Sequence, residues 1–208
     1  MNLKKYFITG IGTNVGKTIT AAIITEALQA DYWKPVQAGD LENSDTNKVK
    51  SLISNQKTIF HPETYRLNTP ASPHAAALID GIEIAMDKFE LPETNNHLVI
   101  EGAGGLMVPL NQQHLVIDLI EKLGAEVILV SQNYLGSINH TLLSIALLKA
   151  RNIPVKGIIF NGEPTPHSEG FILNYSGLPQ LLSINYEIEI TQSTIRYYAQ
   201  KLLDSNLL

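Results

Sequence analysis

Five short apolar runs alternate with helical patterns along the chain, and this alternation limits the possible folds more than any other feature. The runs are rich in β-branched residues and occupy positions 6–9, 33–37, 98–101, 126–131 and 155–161. Runs that are apolar on both faces are typical of strands buried in a parallel sheet. Apolar residues at helical spacing fill the stretches 19–27, 116–123, 142–150 and 195–203. The pattern predicts an α/β fold with a mostly parallel central sheet, helices on both faces and right-handed crossovers.

Charge and composition limit the kinds of partner and the kinds of chemical site that this chain can have. The net charge of −5 and the pI near 5.6 disfavour nucleic acid or an anionic membrane as the main partner. The absence of cysteine excludes disulfides, thiolate metal sites and cysteine catalysis. The first residues are too short in apolar length for a signal peptide, and no window reaches ~18 apolar residues. We therefore expect a soluble, cytoplasmic protein. The stretch 40–96 has only patchy helical patterns and two proline clusters, and is expected to form loops over a site.

A glycine-rich loop between the first run and the first helical pattern is the strongest single motif. It begins at Gly10, and Lys17 and Thr18 open the helix. Such loops cradle phosphate oxygens with backbone N–H groups, the lysine reaches the β- and γ-phosphates, and the hydroxyl ligates Mg²⁺. The strict motif has glycine at position 11, where Ile11 stands before Gly12, so the loop is a variant. The alternative is a chance turn with a surface lysine. The strand before it and the helix after it favour one P-loop NTPase-type domain over 1–208.

Two carboxylates are candidates for holding Mg²⁺, which takes only one or two from a protein. Glu101 ends the third run, at the edge where open α/β sheets bind ligands. The alternative for Glu101 is a solvated glutamate at a strand end. Asp45 is ambiguous, because Ser44 or Asp45 could equally cap a short helix.

Three further segments contain candidate site residues. Lys34 lies in a buried run, so it is expected to be paired or at a ligand site unless it snorkels to the surface. Residues 135–140 predict a helix N-terminus, capped by Ser137, that would attract a carboxylate or phosphate. Residues 71–74 form a loop before another helical stretch. We interpret His74 and His140 as hydrogen-bonding residues rather than bases.

Together these segments closely resemble the dethiobiotin synthetase family, ATP-dependent carboxylases of biotin biosynthesis. The loop motif is common to many ATPases, but its combination with the Lys-Pro-Val and Glu-Gly-Ala-Gly-Gly segments is far more specific. The resemblance also favours Asp45 as a metal ligand. The matching pieces, in the family's order, are Thr9-Gly10 to Thr18, Lys34-Pro35-Val36, Asn43-Ser44-Asp45, Ser72-Pro73-His74, Glu101 to Gly105, Leu135-Gly136, Ile138-Asn139-His140 and Asn161.

The resemblance implies conversion of 7,8-diaminononanoate, CO₂ and ATP into dethiobiotin, ADP and phosphate. One amine captures CO₂ as a carbamate, which attacks the γ-phosphate to form a carbamic-phosphoric anhydride. The second amine then closes the cyclic urea and expels phosphate. Two anions must approach each other, and Lys17, Lys34 and Mg²⁺ would offset their repulsion. The carbamate is itself the nucleophile, so no side-chain nucleophile is needed.

The resemblance also implies the site residues. It assigns catalysis to Lys17, Thr18 and Lys34, and the metal to Thr18, Asp45 and Glu101. Nucleotide and ion binding fall to Gly12, Thr13, Asn14, Val15, Gly16, Lys17, Thr18, Asp45, Glu101, Gly102, Ala103, Gly104 and Asn161. Substrate contacts fall to Thr13, Lys34, Ala38, Pro73, Gly136, Ser137 and Asn139. The family is homodimeric and binds the substrate carboxylate at a helix N-terminus of the partner, so Asn139 would serve the neighbouring site. Asn161 matches the asparagine that contacts adenine.

The chain departs from the family pattern at three places. Asn14 stands where several relatives carry an acid, Ala38 stands where some carry a hydroxyl, and the second adenine-side segment does not align after Leu182.

Two other classes remain as alternatives. Partitioning and septum-positioning ATP switches carry an extra lysine early in the loop, and positions 10–16 contain none. Cobyrinate-type amide ligases need a glutaminase cysteine, which would have to come from another subunit because this chain has none.

Overall fold

The computed structural model describes residues 3–207, and its centre is a seven-stranded sheet in which every pairing is parallel. The strands are β1 (Lys5–Gly10), β2 (Asp31–Trp33), β3 (Val36–Ala38), β4 (Phe60–His61), β5 (Tyr65–Leu67), β6 (Leu98–Gly105), β7 (Glu126–Gln132), β8 (Val155–Asn161) and β9 (Gln180–Ile184). The order across the sheet is β4-β2-β6-β1-β7-β8-β9, and β3 pairs with β5 in a separate two-stranded sheet.

Seven α-helices occur within residues 3–207. They are α1 (Lys17–Leu28), α2 (Asp45–Leu52), α3 (Pro73–Asp80), α4 (Val116–Leu123), α5 (Ser137–Ala150), α6 (Pro166–Ser176) and α7 (Gln192–Asp204). The four stretches with helical spacing therefore do form helices. No helix in this part of the chain is both long and apolar enough to cross a lipid bilayer.

Helices cover both faces of the sheet, as the sequence predicted. Neighbouring residues of a strand point to opposite faces, so Phe7 and Ile8 of β1 belong to different apolar layers. The layer with Phe7 contains buried residues of α4 and α5, and the layer with Ile8 contains those of α1 and α7. The sheet is thus buried on both sides, which explains why its strands are apolar without alternation.

The run at 33–37 was expected to form one strand, and this prediction was wrong. β2 ends at Trp33 and β3 begins at Val36, and the two strands belong to different sheets. Pro35 has no N–H to continue a ladder, and its carbonyl accepts a hydrogen bond from the Tyr65 N–H at 3.0 Å in the small sheet. The break leaves Lys34 at the carboxyl end of β2.

The stretch 40–96 is more ordered than the expected loops. It contains α2, α3, the short strands β4 and β5, and a 3₁₀ turn at Met86–Lys88.

β1 lies at the centre of the sheet between β6 and β7, and all three are parallel. The loops after these strands therefore meet at one edge, which is where open α/β sheets bind ligands.

Candidate active site

The loop between β1 and α1 has the backbone of an anion cradle. Among residues 3–207, the hydrogen bonds within the protein use none of the N–H groups of residues 12–19 as donors. The loop turns through left-handed conformations at Asn14 (φ 59°) and Gly16 (φ 97°). Free N–H groups ahead of a helix, together with the helix dipole, favour phosphate at this place.

Gly16 is required for a second reason, its close approach to Asn161. A Cβ at Gly16 would lie 2.4 Å from Asn161 Nδ2, which is too close for any side chain. Asn161 closes β8 and its amide nitrogen donates to the Val15 carbonyl at 3.0 Å. The end of β8 is therefore bonded directly to the loop. The side-chain oxygen of Asn161 takes no part in this hydrogen bond.

Lys17 opens α1 and is largely buried beside the loop. Its ammonium donates to the Gly12 carbonyl at 2.8 Å. The pKa of Lys17 is lowered to about 8, mainly by burial and in smaller part by the charge of Lys34, while the charges of Glu101 and Asp45 act in the opposite direction. A triphosphate in the loop would supply the anion that this lysine lacks.

Glu101 is a buried carboxylate with a donor on each oxygen. It lies in β6 with 1% of its surface exposed, so the alternative of a solvated strand-end glutamate does not hold. Its Oε1 accepts from the Thr18 hydroxyl at 2.8 Å and from Lys34 Nζ at 3.3 Å. Its Oε2 accepts from the Tyr32 hydroxyl at 2.8 Å. One carboxylate thus connects α1, β2 and β6.

Lys34 lies between two carboxylates instead of snorkelling to the surface. Its Nζ is 2.6 Å from Asp45 Oδ2 and 3.3 Å from Glu101 Oε1. Burial strongly lowers the pKa of Lys34, but Glu101 and Asp45 together outweigh it and raise the pKa above the usual value. The two carboxylates therefore favour the charged ammonium form of Lys34 in its buried position.

The cap of α2 resolves the ambiguity at Asp45. Ser44 is the N-cap, and its hydroxyl accepts from the Asn47 N–H at 3.3 Å. Asp45 is the first residue of the helix, and its carboxylate faces Lys34. Burial raises the pKa of Asp45, but the charge and hydrogen bond of Lys34 lower it below its usual value overall.

The oxygen atoms around Lys34 suit a hard divalent cation. The Thr18 hydroxyl and the carboxylates of Glu101 and Asp45 are brought together within hydrogen-bond reach of one another or of Lys34 Nζ. Mg²⁺ binds through oxygen ligands and needs only one or two carboxylates. Among residues 3–207, no group of three or more His, Cys, Asp and Glu side chains is arranged to hold a metal ion. The donor set therefore fits an ion that would take its other ligands from phosphate and water.

A cavity of about 800 Å³ contains most of the expected site residues. Lys48, Asp40 and Gln37 also line it, although sequence reasoning did not single them out. Gly12 lines a smaller neighbouring cavity, and Val15 and Asn161 line neither of these two cavities. The expected residues on the wall of the large cavity are Thr13, Asn14, Gly16, Lys17, Thr18, Lys34, Ala38, Asp45, Pro73, Glu101, Gly102, Ala103 and Gly104.

The N-terminus of α5 lies apart from this cavity. Gly136 and Asn139 line a separate groove of about 750 Å³. The expected cap at Ser137 was wrong: Gly136 (φ 107°) is the cap, and Ser137 is the buried first residue of the helix. Glycine takes this position because the backbone is left-handed there. Within one chain, Gly136 and Asn139 therefore do not line the cavity that contains Lys17 and Lys34.

Both histidines of interest make side-chain hydrogen bonds. His74 Nδ1 is 3.1 Å from the Ser72 hydroxyl, and His140 Nδ1 is 2.6 Å from the Tyr134 hydroxyl. Neither lines the large cavity. Sequence reasoning missed two residues in contact with a site carboxylate: Tyr32, whose hydroxyl donates to Glu101, and Lys48, whose Nζ lies 4.0 Å from Asp45 Oδ1. The signal in the sequence was a tyrosine two residues before the lysine of a buried run.

The fold resembles that of solved partition and septum-positioning ATPases. The septum site-determining protein MinD of Pyrococcus horikoshii superposes with a TM-score of 0.59 at 12% identity, covering 99% of each chain. A plasmid partition protein of Borrelia burgdorferi gives 0.59 at 13% identity, covering 100% of this chain and 99% of that one. Identities this low establish the P-loop α/β fold and nothing further.

Sequence comparison is more specific. A family model described as an AAA domain matches residues 4–194. The ATP-dependent dethiobiotin synthetase of Cytophaga hutchinsonii is 54% identical over 204 residues, which is 98% of each chain. That of Christiangramia forsetii is 55% identical over 198 residues, which is 95% of each chain. With identity at this level over nearly the full length, the chain belongs to the dethiobiotin synthetase family.

Proposed function

We propose that this chain synthesises dethiobiotin from 7,8-diaminononanoate and CO₂ at the expense of ATP. Family membership supports the ATP-dependent activity. The observation that carries the chemistry is Lys34, a buried ammonium at the end of β2, in the same cavity as the phosphate loop. A charged lysine at that place suits a reaction in which two anions must meet.

The proposed reaction has three steps. One substrate amine attacks CO₂ and loses a proton, which gives a carbamate. A carbamate oxygen then attacks the γ-phosphorus of ATP, the bond to the β-phosphate oxygen breaks, and ADP leaves. The second amine attacks the carbonyl carbon of the mixed anhydride, phosphate departs with the bonding pair, and the cyclic urea forms. The amines lose their protons to solvent or to the departing phosphate.

The chain's own residues contribute charge and orientation. The free N–H groups of residues 12–19 would hold the phosphate oxygens, and Lys17 would leave the Gly12 carbonyl to bind the β- and γ-oxygens. Lys34 would stabilise the charge that spreads over the carbamate and the terminal phosphate during transfer. Preorganised charges of this kind commonly supply a large share of rate acceleration, because they need no reorganisation as the reaction proceeds.

Thr18, Asp45 and Glu101 are the residues that would hold Mg²⁺. Bound there, the ion would neutralise part of the triphosphate charge and hold its oxygens in line for displacement. The same carboxylates hold Lys34, so its ammonium stays at the edge of the ion site rather than folding back toward solvent.

Part of the cavity wall suits the carbon chain of the substrate. Thr13, Ala38 and Pro73 line the cavity together with Val36 and present small or apolar surface. On the nucleotide side, Asn161 Nδ2 is used by Val15, so Oδ1 is the atom available to accept from the adenine amino group. We propose these contacts for substrate and base respectively.

We propose further that the active unit is a homodimer in which Asn139 serves the neighbouring site. Gly136 and Asn139 line a groove separate from the cavity with Lys34, so one chain alone does not join them. Around that groove Leu135, Leu143 and Tyr175 are exposed apolar side chains. An exposed apolar patch of this kind is typical of a protein interface. A cytoplasmic location goes with the proposal, because ATP is supplied there.

Mixed dimers test this arrangement directly. Lys34→Met and Asn139→Ala would each be inactive alone, because each lacks one half of every site. After exchange of subunits, half the dimers carry one intact site, so activity should return to about one quarter of wild type. No recovery in a mixture shown to exchange subunits would rule out a site shared in this way. Light scattering on each variant establishes its oligomeric state.

Labelled bicarbonate tests the function itself. The wild-type chain is incubated with 7,8-diaminononanoate, ¹³C-bicarbonate, Mg²⁺ and ATP, and the product is analysed by mass spectrometry. We expect one labelled carbon in a cyclic urea for each ADP released. Turnover of ATP without that ring product would refute the proposal. Dependence on glutamine would favour amide ligation, and ATP-dependent binding to DNA or lipid vesicles would favour a partitioning switch.

A further inference from the structure

Tyr32 is a buried side chain whose polar atom is directed at the active site. It lies in β2, two residues before Lys34, and none of its surface is exposed. Its hydroxyl donates to Glu101 Oε2 at 2.8 Å. Nothing in the proposed chemistry requires this residue, and phenylalanine would fill the same apolar space.

The pairing of strands explains the contact. Tyr32 is in register with Val99 of β6, and alternate residues of a strand point to the same face. The side chains at 32, 99 and 101 therefore share one face of the sheet, and the long tyrosine side chain reaches one pair further along it to the carboxylate. Its ring lies 5.7 Å from that of Phe60 in the edge strand β4, so the ring is packed within the core.

The two carboxylate oxygens of Glu101 have different hydrogen-bond donors. Oε2 is occupied by Tyr32, a group that cannot leave because it is fixed in the core. Oε1 accepts from Thr18 and Lys34, the two residues on the cavity wall. Without the phenol, Oε2 would be a buried oxygen with no donor, and the carboxylate would gain by turning that oxygen toward Thr18 or Lys34.

We propose that Tyr32 is a positioning residue that fixes the orientation of Glu101, so that a single oxygen of this carboxylate faces the cation site. The inference rests on the proposed role of Glu101 in holding Mg²⁺. Residues that orient metal-binding carboxylates commonly change metal affinity by ~10–100-fold when they are altered.

The test is the Mg²⁺ dependence of nucleotide binding in Tyr32→Phe. Calorimetry gives the Kd of a non-hydrolysable ATP analogue with saturating Mg²⁺, with a Mg²⁺ titration, and in EDTA. We expect the Mg²⁺ requirement to rise ~10-fold while binding in EDTA stays within about 2-fold of wild type. A loss caused by general loosening of the fold would instead weaken both kinds of binding.

Tyr6→Phe is the matched control. Tyr6 is buried in the same apolar layer and in the same row of the sheet, since it also pairs with Val99. It pairs with Glu126 of β7, and the hydroxyl that donates to Glu101 Oε2 is that of Tyr32, not that of Tyr6. This variant loses the same hydroxyl from the same layer, and we expect its Mg²⁺ requirement to match that of wild type.

A double-mutant cycle with Glu101→Gln adds a second criterion. If Tyr32 acts only through Glu101, Tyr32→Phe should change the Mg²⁺ requirement in the wild-type background and not in Glu101→Gln. An unchanged Mg²⁺ requirement in Tyr32→Phe, an equal change in Tyr6→Phe, or full additivity in the cycle would overturn the inference. Failure of the wild-type chain to make the labelled ring would instead refute the proposed function, so the two failures are distinguishable.

Discussion

Replacement of Lys34 by methionine removes the central charge of the site while keeping most of the side-chain volume. The ammonium lies 2.6 Å from Asp45 and 3.3 Å from Glu101, and it is buried. If it stabilises charge that develops only during transfer, its loss should lower kcat and kcat/KM equally. Removal of one preorganised donor commonly costs ~10²–10³-fold, or about 2.7–4 kcal/mol.

The same substitution should lower stability. It leaves two carboxylates near each other without their shared cation, and breaking a buried pair from one side costs ~3–5 kcal/mol. Glu101 keeps its bonds from Thr18 and Tyr32, and Asp45 is partly exposed, so we expect the lower figure of ~2 kcal/mol. For a chain of this size that corresponds to a fall in Tm of about 4–8 °C.

The assay is steady-state formation of dethiobiotin at saturating ATP, with Tm measured on the same samples. Lys50→Met is the matched control, because Lys50 is an exposed lysine on α2 outside the cavity, and its activity should stay near that of wild type. A kcat for Lys34→Met within about 3-fold of wild type would refute the assignment of transition-state charge stabilisation to this lysine.

Three further predictions follow from the loop and its neighbours. Burial lowers the pKa of Lys17 to about 8, so the ammonium is charged below that pH and neutral above it in the free protein. Binding of an ATP analogue should therefore take up close to one proton at about pH 9 and almost none at about pH 7, as calorimetry in buffers of different ionisation enthalpy would report. Equal proton uptake at both values would contradict this. Gly16→Ala should abolish nucleotide binding because its Cβ would meet Asn161 Nδ2 at 2.4 Å; Gly81→Ala (φ 68°), with no atom within 4 Å, should retain it. Retained binding in Gly16→Ala would show that the loop tolerates the displacement. Ser44→Ala removes the cap of α2 and should lower the free energy of unfolding by ~1 kcal/mol in urea, whereas an unchanged midpoint would mean that the hydroxyl contributes nothing.

The fold and the phosphate loop could be predicted because their signals are local. The loop between β1 and α1 carries its chemistry in consecutive residues, and a strand buried on both faces is apolar throughout. Glu101 and Lys34 were recognisable for a related reason. A charged residue at the end of a buried run has few structural explanations other than a partner or a ligand.

Features that depend on pairing between distant segments were beyond the sequence. The contact of Tyr32 with Glu101 requires the register of β2 against β6, which aligns Tyr32 with Val99. The run at 33–37 is divided at Pro35, whose carbonyl accepts a hydrogen bond from the distant Tyr65 N–H in the small sheet. The cap of α5 was assigned to Ser137 on side-chain preference, but the left-handed backbone at Gly136 decided the helix start.

A crystal structure with Mg²⁺ and a non-hydrolysable ATP analogue tests the central claim most directly. The claim is that the ammonium groups of Lys17 and Lys34 bring the terminal phosphate and the carbamate together. We predict both Nζ atoms within hydrogen-bond distance of the γ-phosphate oxygens, with Lys17 released from the Gly12 carbonyl. A bound nucleotide whose γ-phosphate lies away from both lysines would contradict the account.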